Sequence, residues 1–109
     1  MLGDNNVTVA GICGMFSKEN DLSSNSAIQR QNAIDYIRRE LDFAAEVNAG
    51  YMLVVPGAVG RPDAYDASEF QRSVETLQIV ADEIVKHRVR TAIESIRSTE
   101  VSFVHTFAD

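Results

Sequence analysis

The sequence predicts an α/β protein with a parallel sheet. Three short, mainly apolar runs (residues 7–13, 51–55 and 89–93) lack the strict polar alternation of a half-solvated strand. Helical periodicity fills both connections between them. This order is typical of parallel strands joined by helical crossovers. We therefore expect a βαβαβ unit, followed from Thr99 by a further helix or, alternatively, by a strand at 101–104.

The first helix is predicted between Ser26 and Gly50. Ser26 stands three residues before Gln29, as in a capping box, and Gly50 is a plausible helix stop. Apolar residues recur at helical spacing, which predicts a buried face. Its members are Ile34, Ile37, Leu41, Ala44 and Ala45. The charged residues between them are expected mostly on the solvent side: Arg38, Arg39, Glu40 and Asp42.

The second helix is predicted after the loop that begins at Pro56-Gly57. Asp66 and Glu69 have the spacing of a second capping arrangement. One apolar face then follows at helical spacing. It consists of Phe70, Val74, Leu77, Ala81 and Ile84.

Composition excludes several classes of protein. The chain has 109 residues, enough for one small domain or part of a larger one, and no apolar run approaches a membrane span. Ten basic against sixteen acidic residues give a net charge of −6, which disfavours nucleic acid and anionic membranes as partners. The first six residues do not resemble a secretory signal, so we expect a cytoplasmic protein. One cysteine excludes an internal disulfide.

Candidate site residues follow the predicted strands, because ligands of parallel α/β proteins bind at the carboxyl ends of the strands. Glu94 directly follows the third strand, where a carboxylate acts as a metal ligand or proton acceptor; the alternative is an ion pair with Arg97 or a helix cap. Cys13 and Gly57 follow the first two strands and are candidates for ligand contact. Their structural alternatives are a small apolar core residue and a tight turn.

Glu100 lies six residues after Glu94 and would reach the same edge of the sheet if the intervening loop folds back. Its alternative is a first-turn glutamate of a following helix. His87 and His105 do not have ligand-like spacing.

Several segments together resemble the xylose-isomerase-like TIM barrels, the sugar (phosphate) isomerase/epimerase superfamily. The resemblance runs from Val7 to about His105 and rests on the order and spacing of degenerate motifs. These are Asp21-Leu-Ser-Ser, Arg30, Ala33–Ile37, Leu41–Ala45, Gly50, Val54–Gly57 and Ala92–Ile96 with Glu100. It implies that residues 1–109 are a single partial domain, equivalent to strands two to four of a (β/α)₈ barrel of about 250 residues.

The resemblance also implies a chemistry. In the ketose 3-epimerase branch the residue matching Glu94 binds a divalent metal and transfers a proton, and the residue matching Glu100 contacts substrate hydroxyls. Glu94 would thus bind Mn²⁺, Mg²⁺ or Co²⁺, and the substrate would be a small sugar or keto-polyol. Residues 95–98 read Ser-Ile-Arg-Ser, where the family commonly has Pro-Ile/Val-Asn-Arg, so the substrate side of this chain departs from the family pattern.

The family completes its metal site with an aspartate, a histidine and a second glutamate from later strands, which are not in these 109 residues. We therefore expect part of a metal-dependent sugar isomerase or epimerase that is inactive as an isolated monomer and binds a metal weakly at best when alone. It would need a homo-oligomer or a complementing chain. A dehydratase of cyclic polyols would look the same. The alternative is a non-catalytic α/β module that works by association. The DNA-repair endonuclease branch ranks last, because it needs several histidines and this chain is acidic.

Overall fold

A computed structural model describes residues 5–109 and shows a parallel three-stranded sheet with two helices. The elements are β1 (Ile12–Cys13), α1 (Ala27–Glu46), β2 (Met52–Val54), α2 (Glu69–His87) and β3 (Thr91–Ile93), with a short 3₁₀ helix at Lys18–Asn20 before α1. The sheet order is β1-β2-β3, and both pairings are parallel. The predicted α/β class and element order are confirmed. The first four residues, which include part of the segment inspected for a secretory signal, lie outside the described range.

The strands are shorter than predicted. The run 7–13 contributes only Ile12–Cys13, which pair with Met52 and Leu53 of β2. The predictions of a helix from Thr99 or a strand at 101–104 are both wrong: this region forms turns, with one isolated parallel bridge between Arg61 and Val101. Apolar runs become strands only where a partner strand lies alongside, and β1 has β2 on one side only.

Helix α1 buries most of the predicted face against the sheet. Ala33, Ile34, Ile37, Leu41 and Ala44 are all at most 5% exposed. Two assignments were wrong, since Ala45 is exposed and Glu40 is buried. Spacings of three and four place Glu40 in one row with Ile37 and Ala44, while Ala45 lies beside that row.

The ends of α1 also differ from the prediction. Ser26 makes no side-chain cap; its N–H donates to Ser24 Oγ (3.0 Å). The helix ends at Glu46, and Asn48 adopts a left-handed conformation (φ 54°). Gly50 instead donates its N–H to the Ala10 carbonyl at 2.9 Å, and a Cβ there would lie 2.6 Å from that oxygen. Gly50 therefore permits a close backbone approach rather than ending the helix.

Helix α2 buries a more polar face than predicted. The buried positions are Glu69, Ser73, Thr76 and Val80. Ser73 Oγ donates to the Pro56 carbonyl (2.7 Å) and Thr76 Oγ1 to the Leu22 carbonyl (2.9 Å). Buried carbonyl groups need hydrogen-bond donors, and these two hydroxyls supply them. Ser73 and Thr76 therefore face the interior in place of the predicted apolar face.

The predicted apolar face of α2 is only partly covered. Val74, Leu77 and Ile84 are half-buried, whereas Phe70 and Ala81 are exposed. Phe70 and Leu77 line a cavity of about 290 Å³ together with Ile93, Phe103 and Phe107. The capping prediction at Asp66 and Glu69 was also wrong. Ser68 precedes the helix and donates its N–H to Asp66 Oδ1, while Glu69 binds Arg61.

The core lies between the two helices and one face of the sheet. Its fully buried side chains include Leu22, Ile37, Leu41, Met52, Val54 and Val80. Arg38 of α1 donates to Glu83 of α2 (2.8 Å) at the periphery, and His87 Nε2 lies 2.8 Å from Asp42 Oδ1. Among residues 5–109, no helix has the length and apolarity to cross a membrane.

Candidate active site

The helices cover only one face of the sheet. Met52 and Val54 point to the covered face and are fully buried. Side chains of successive strand residues point to opposite faces of a sheet. The paired residues Cys13, Leu53 and Ala92 therefore point to the other face. Cys13 and Ala92 are exposed and Leu53 is half-buried. A parallel sheet normally has both faces covered, so this open face is the natural place to look for a site.

Glu94 extends β3 at the carboxyl edge of this open face. Its N–H donates to the Val54 carbonyl at 3.0 Å, so the residue still follows the strand ladder. Ile93 lines the cavity on the helix side, and alternation therefore directs Glu94 to the open face. The side chain is half-buried, and within residues 5–109 its carboxylate has no hydrogen bond or ion pair. The alternative of a Glu94–Arg97 ion pair is wrong.

Arg97 instead pairs with Glu100. Its Nε donates to Glu100 Oε2 at 3.0 Å, and this hydrogen bond lowers the pKa of the Glu100 carboxyl below its ordinary value. The Glu100 carbonyl accepts the N–H groups of Gly60 (2.8 Å) and Arg61 (3.0 Å). The loops after β2 and β3 are thus joined by the backbone of Glu100, while its carboxylate is occupied by Arg97.

Gly57 and Cys13 have different surroundings. Gly57 is buried, and a Cβ there would lie 3.0 Å from Phe103 and 3.4 Å from Ser23 Oγ. Its loop is therefore covered by the protein's own side chains. Cys13 carries a free, exposed thiol on the open face. The fold therefore brings Cys13 and Glu94 to one surface, whereas Gly57 lies beneath Phe103.

The described residues do not by themselves fit a divalent metal. Across residues 5–109 no group of three or more His, Cys, Asp or Glu side chains is close enough to hold an ion. Glu94 offers one carboxylate, and hard divalent cations take six or more oxygen ligands, some of them water. A metal at Glu94 therefore requires ligands from outside this range.

A buried arginine organises the loops beside the candidate site, and sequence reasoning missed it. Arg61 Nε lies 3.3 Å from Asp21 Oδ2, and its Nη1 lies 2.8 Å from Glu69 Oε2. Nη2 donates to Ser23 Oγ at 2.9 Å, and Nη1 also reaches Ser102 Oγ at 3.2 Å. One guanidinium therefore binds the loops after β1 and β3 and the start of α2.

The surroundings of Arg61 are almost closed to solvent. Its side chain is 6% exposed, Asp21 is fully buried, and the guanidinium lies 3.9 Å above the ring centre of Tyr65. Burial and the nearby Asp21 raise the pKa of Tyr65. The available sequence signal was one arginine between Gly60 and Pro62, followed by Asp63, Asp66 and Glu69. An arginine in an exposed surface loop has the same sequence pattern. Only the tertiary structure therefore shows that Arg61 is buried.

Comparisons with known proteins agree with this architecture. The family model of the xylose isomerase-like TIM barrel matches residues 1–109. An L-ribulose 3-epimerase structure superposes with a TM-score of 0.87 at 17% identity, covering 97% of this chain and 36% of that one. D-allulose 3-epimerase from Methylomonas sp., solved with D-allulose, gives 0.86 at 19%, covering 96% and 37%.

A third structure, 3-keto-D-glucoside 4-epimerase from E. coli, gives a TM-score of 0.82 at 15% identity, covering 98% of this chain and 43% of that one. No curated protein sequence matches the chain significantly. The chain thus spans well under half the length of these solved structures, and the likeness to them is one of fold. Together with the family match over its whole length, this partial barrel of parallel βα units shows that the chain belongs to the xylose isomerase-like TIM barrel family.

Proposed function

We propose that this chain supplies part of the active site of a sugar isomerase or epimerase, with Glu94 as its proton-transferring carboxylate. The observation that carries the proposal is the Glu94 side chain: it has no partner among residues 5–109 and lies on the open face at the carboxyl edge of the sheet. Placing a carboxylate there without donors costs free energy, which favours a role in binding or catalysis.

The proposed role is proton abstraction. An ionised Glu94 accepts a proton from the carbon between a carbonyl and a hydroxyl group of the sugar, leaving an enediolate. Return of a proton to the opposite face of that carbon gives the epimer, and return to the neighbouring carbon gives the isomer. A second acid group has to deliver that proton. Glu94 alone performs half of the exchange, so we expect the isolated monomer to be inactive.

The substrate class is proposed from the relatives. One was solved with D-allulose and another, a D-psicose 3-epimerase, in the presence of D-fructose. Glu94 would be one ligand of Mn²⁺, Mg²⁺ or Co²⁺, with the others outside the described residues. Cys13 and Glu100 remain proposed sugar contacts, Glu100 after exchanging Arg97 for a hydroxyl. Contact at Gly57 would require Phe103 to move. A cytoplasmic location remains a prediction.

The alternative function is a non-catalytic module that works by association. It is favoured by the lack of a metal-holding group within residues 5–109. The two functions differ in what a complete barrel does. A barrel that contains this chain and exchanges the C3 proton of D-fructose or D-allulose with deuterated solvent supports the enzyme, and one that binds its partner without exchange supports the module.

Metal titration tests the incomplete site directly. We expect the isolated chain to bind Mn²⁺ only weakly, since one carboxylate replaces few of the ion's waters. Isothermal titration calorimetry and Mn²⁺ electron paramagnetic resonance measure this. Tight, stoichiometric binding to the monomer would show that the argument from the missing ligands is wrong.

We also expect the isolated chain to associate with itself or with a complementing chain. Within the described part of the chain, strands β1 and β3 each pair on one side only, and the sheet's second face is open. Unpaired edges and exposed apolar faces favour self-association or capture of a complementing chain. We expect multi-angle light scattering to find species larger than 12 kDa that grow with concentration. A monodisperse monomer over the whole range would contradict it.

A further inference from the structure

Glu40 is a buried carboxylate that the proposed chemistry does not use. It lies on the covered side of the sheet, is 8% exposed, and its Oε2 has no hydrogen-bond partner among the described residues. A Cβ built on Gly14 would lie 2.6 and 2.9 Å from the two carboxylate oxygens and 2.3 Å from Phe16. The carboxyl group therefore packs closely against the backbone at Gly14, directly after β1.

Tyr36 links this carboxyl group to the same segment. The Tyr36 hydroxyl accepts the N–H of Met15 at 2.9 Å, and its ring packs edge-to-face on Phe16 with centres 5.2 Å apart. A hydrogen bond with the same hydroxyl stabilises the charged form of Glu40, yet burial dominates and raises the pKa of Glu40 to about 7. Residues 14–16 thus pack on α1 through Glu40 and Tyr36.

Among the residues that the structure describes, no charged side chain offsets the burial of Glu40, and Tyr36 is the one titratable group that contributes to its pKa. On the β1 side its neighbours are Gly14 and Phe16, and Cys13 points to the opposite face of the sheet. Arg39 lies next to Glu40 in sequence, but its guanidinium is placed over the Tyr36 ring, 5.8 Å from the centre.

We propose that protonation of Glu40 controls the position of residues 14–16. Neutral Glu40 keeps this segment packed against α1, and ionised Glu40 favours its release. A neutral carboxyl group is tolerated between Gly14 and Phe16, whereas a carboxylate needs more hydrogen-bond donors than the Tyr36 hydroxyl supplies, and water is their source. Water reaches it when the segment moves away. The segment that follows β1 would open in this way whether or not the chain acts on a sugar.

The direction of the pH dependence follows from linkage. In the closed form the pKa of Glu40 is about 7, and in the open, solvated form it returns to the ordinary value of 4.5. The open form therefore binds fewer protons between these values, and opening becomes more favourable as pH rises. Well below pH 4.5 and well above pH 7 the opening equilibrium no longer changes with pH. Between pH 5 and pH 8 we expect opening to increase by roughly 50- to 100-fold.

Hydrogen exchange on the full chain measures this opening residue by residue. The reporter amides are Met15, bonded to Tyr36, and Gly14, bonded to the Leu53 carbonyl (3.1 Å). After correction for intrinsic exchange, their protection should fall as pH rises from 5 to 7 and then level off. In Glu40→Gln the protection should not depend on pH. The control Glu46→Gln, an exposed position on the same helix, should behave as the wild type.

Direct titration of the Glu40 carboxyl group in the wild-type chain tests the proposal even if Glu40→Gln fails to fold. The ¹³C shift of the Glu40 carboxyl carbon, followed by NMR in the wild-type chain, should have a midpoint near 7. A midpoint near 4.5 would overturn the proposal. So would a pH-dependent loss of protection at Met15 and Gly14 that persists unchanged in Glu40→Gln.

Discussion

Replacing Glu94 with glutamine is expected to reduce the turnover of the assembled barrel by about 10²- to 10⁴-fold, the usual contribution of a general acid or base. Glutamine keeps the shape of the side chain but cannot accept a proton. Loss of a metal ligand would add to the effect. Turnover and the exchange of the substrate C3 proton with solvent are the measurements.

Stability separates a catalytic role of Glu94 from a structural one. The carboxylate has no partner among residues 5–109 and its placement costs free energy, so Glu94→Gln should not lower the free energy of unfolding by more than about 0.5 kcal/mol. Glu75→Gln, an exposed position on α2, is the matched control and should change neither turnover nor stability. Near-normal turnover of Glu94→Gln would refute both roles assigned to this residue.

Replacing Arg61 with methionine is expected to destabilise the fold by about 3–5 kcal/mol, because it leaves the buried carboxylates of Asp21 and Glu69 without their cation. Unfolding in urea, followed by circular dichroism, gives the change in free energy.

Two further variants separate the effect of the buried Arg61 network from the loss of any arginine. Arg61→Lys keeps the charge but loses the planar set of donors that reaches Ser23 and Ser102, so we expect an intermediate loss. Arg97→Met removes the exposed ion pair with Glu100 and should have little effect on the free energy of unfolding, because water already screens that pair. Equal, small effects at Arg61 and Arg97 would show that the buried network does not hold the loops together.

The sequence alone predicted the features that depend on local pattern. The spacing of Ile34, Ile37 and Leu41 correctly predicted the buried face of α1. The alternation of apolar runs with helical segments correctly predicted a parallel sheet, and the position of Glu94 after the third run placed it at the carboxyl edge. These predictions succeeded because helical and strand periodicity are properties of neighbouring residues.

The burial of polar side chains depended on contacts far along the chain. Arg61 is buried because residues 21–23 and 102 approach it from about 40 positions away, and Glu40 is buried because the segment that follows β1, residues 14–16, packs on α1. Likewise, α2 turns Ser73 and Thr76 inward because distant loop carbonyls need donors. Sequence periodicity determined which elements form and in what order. Only the tertiary structure decided which charges lie inside, because the cost of burying a charge is set by the partners that folding brings to it.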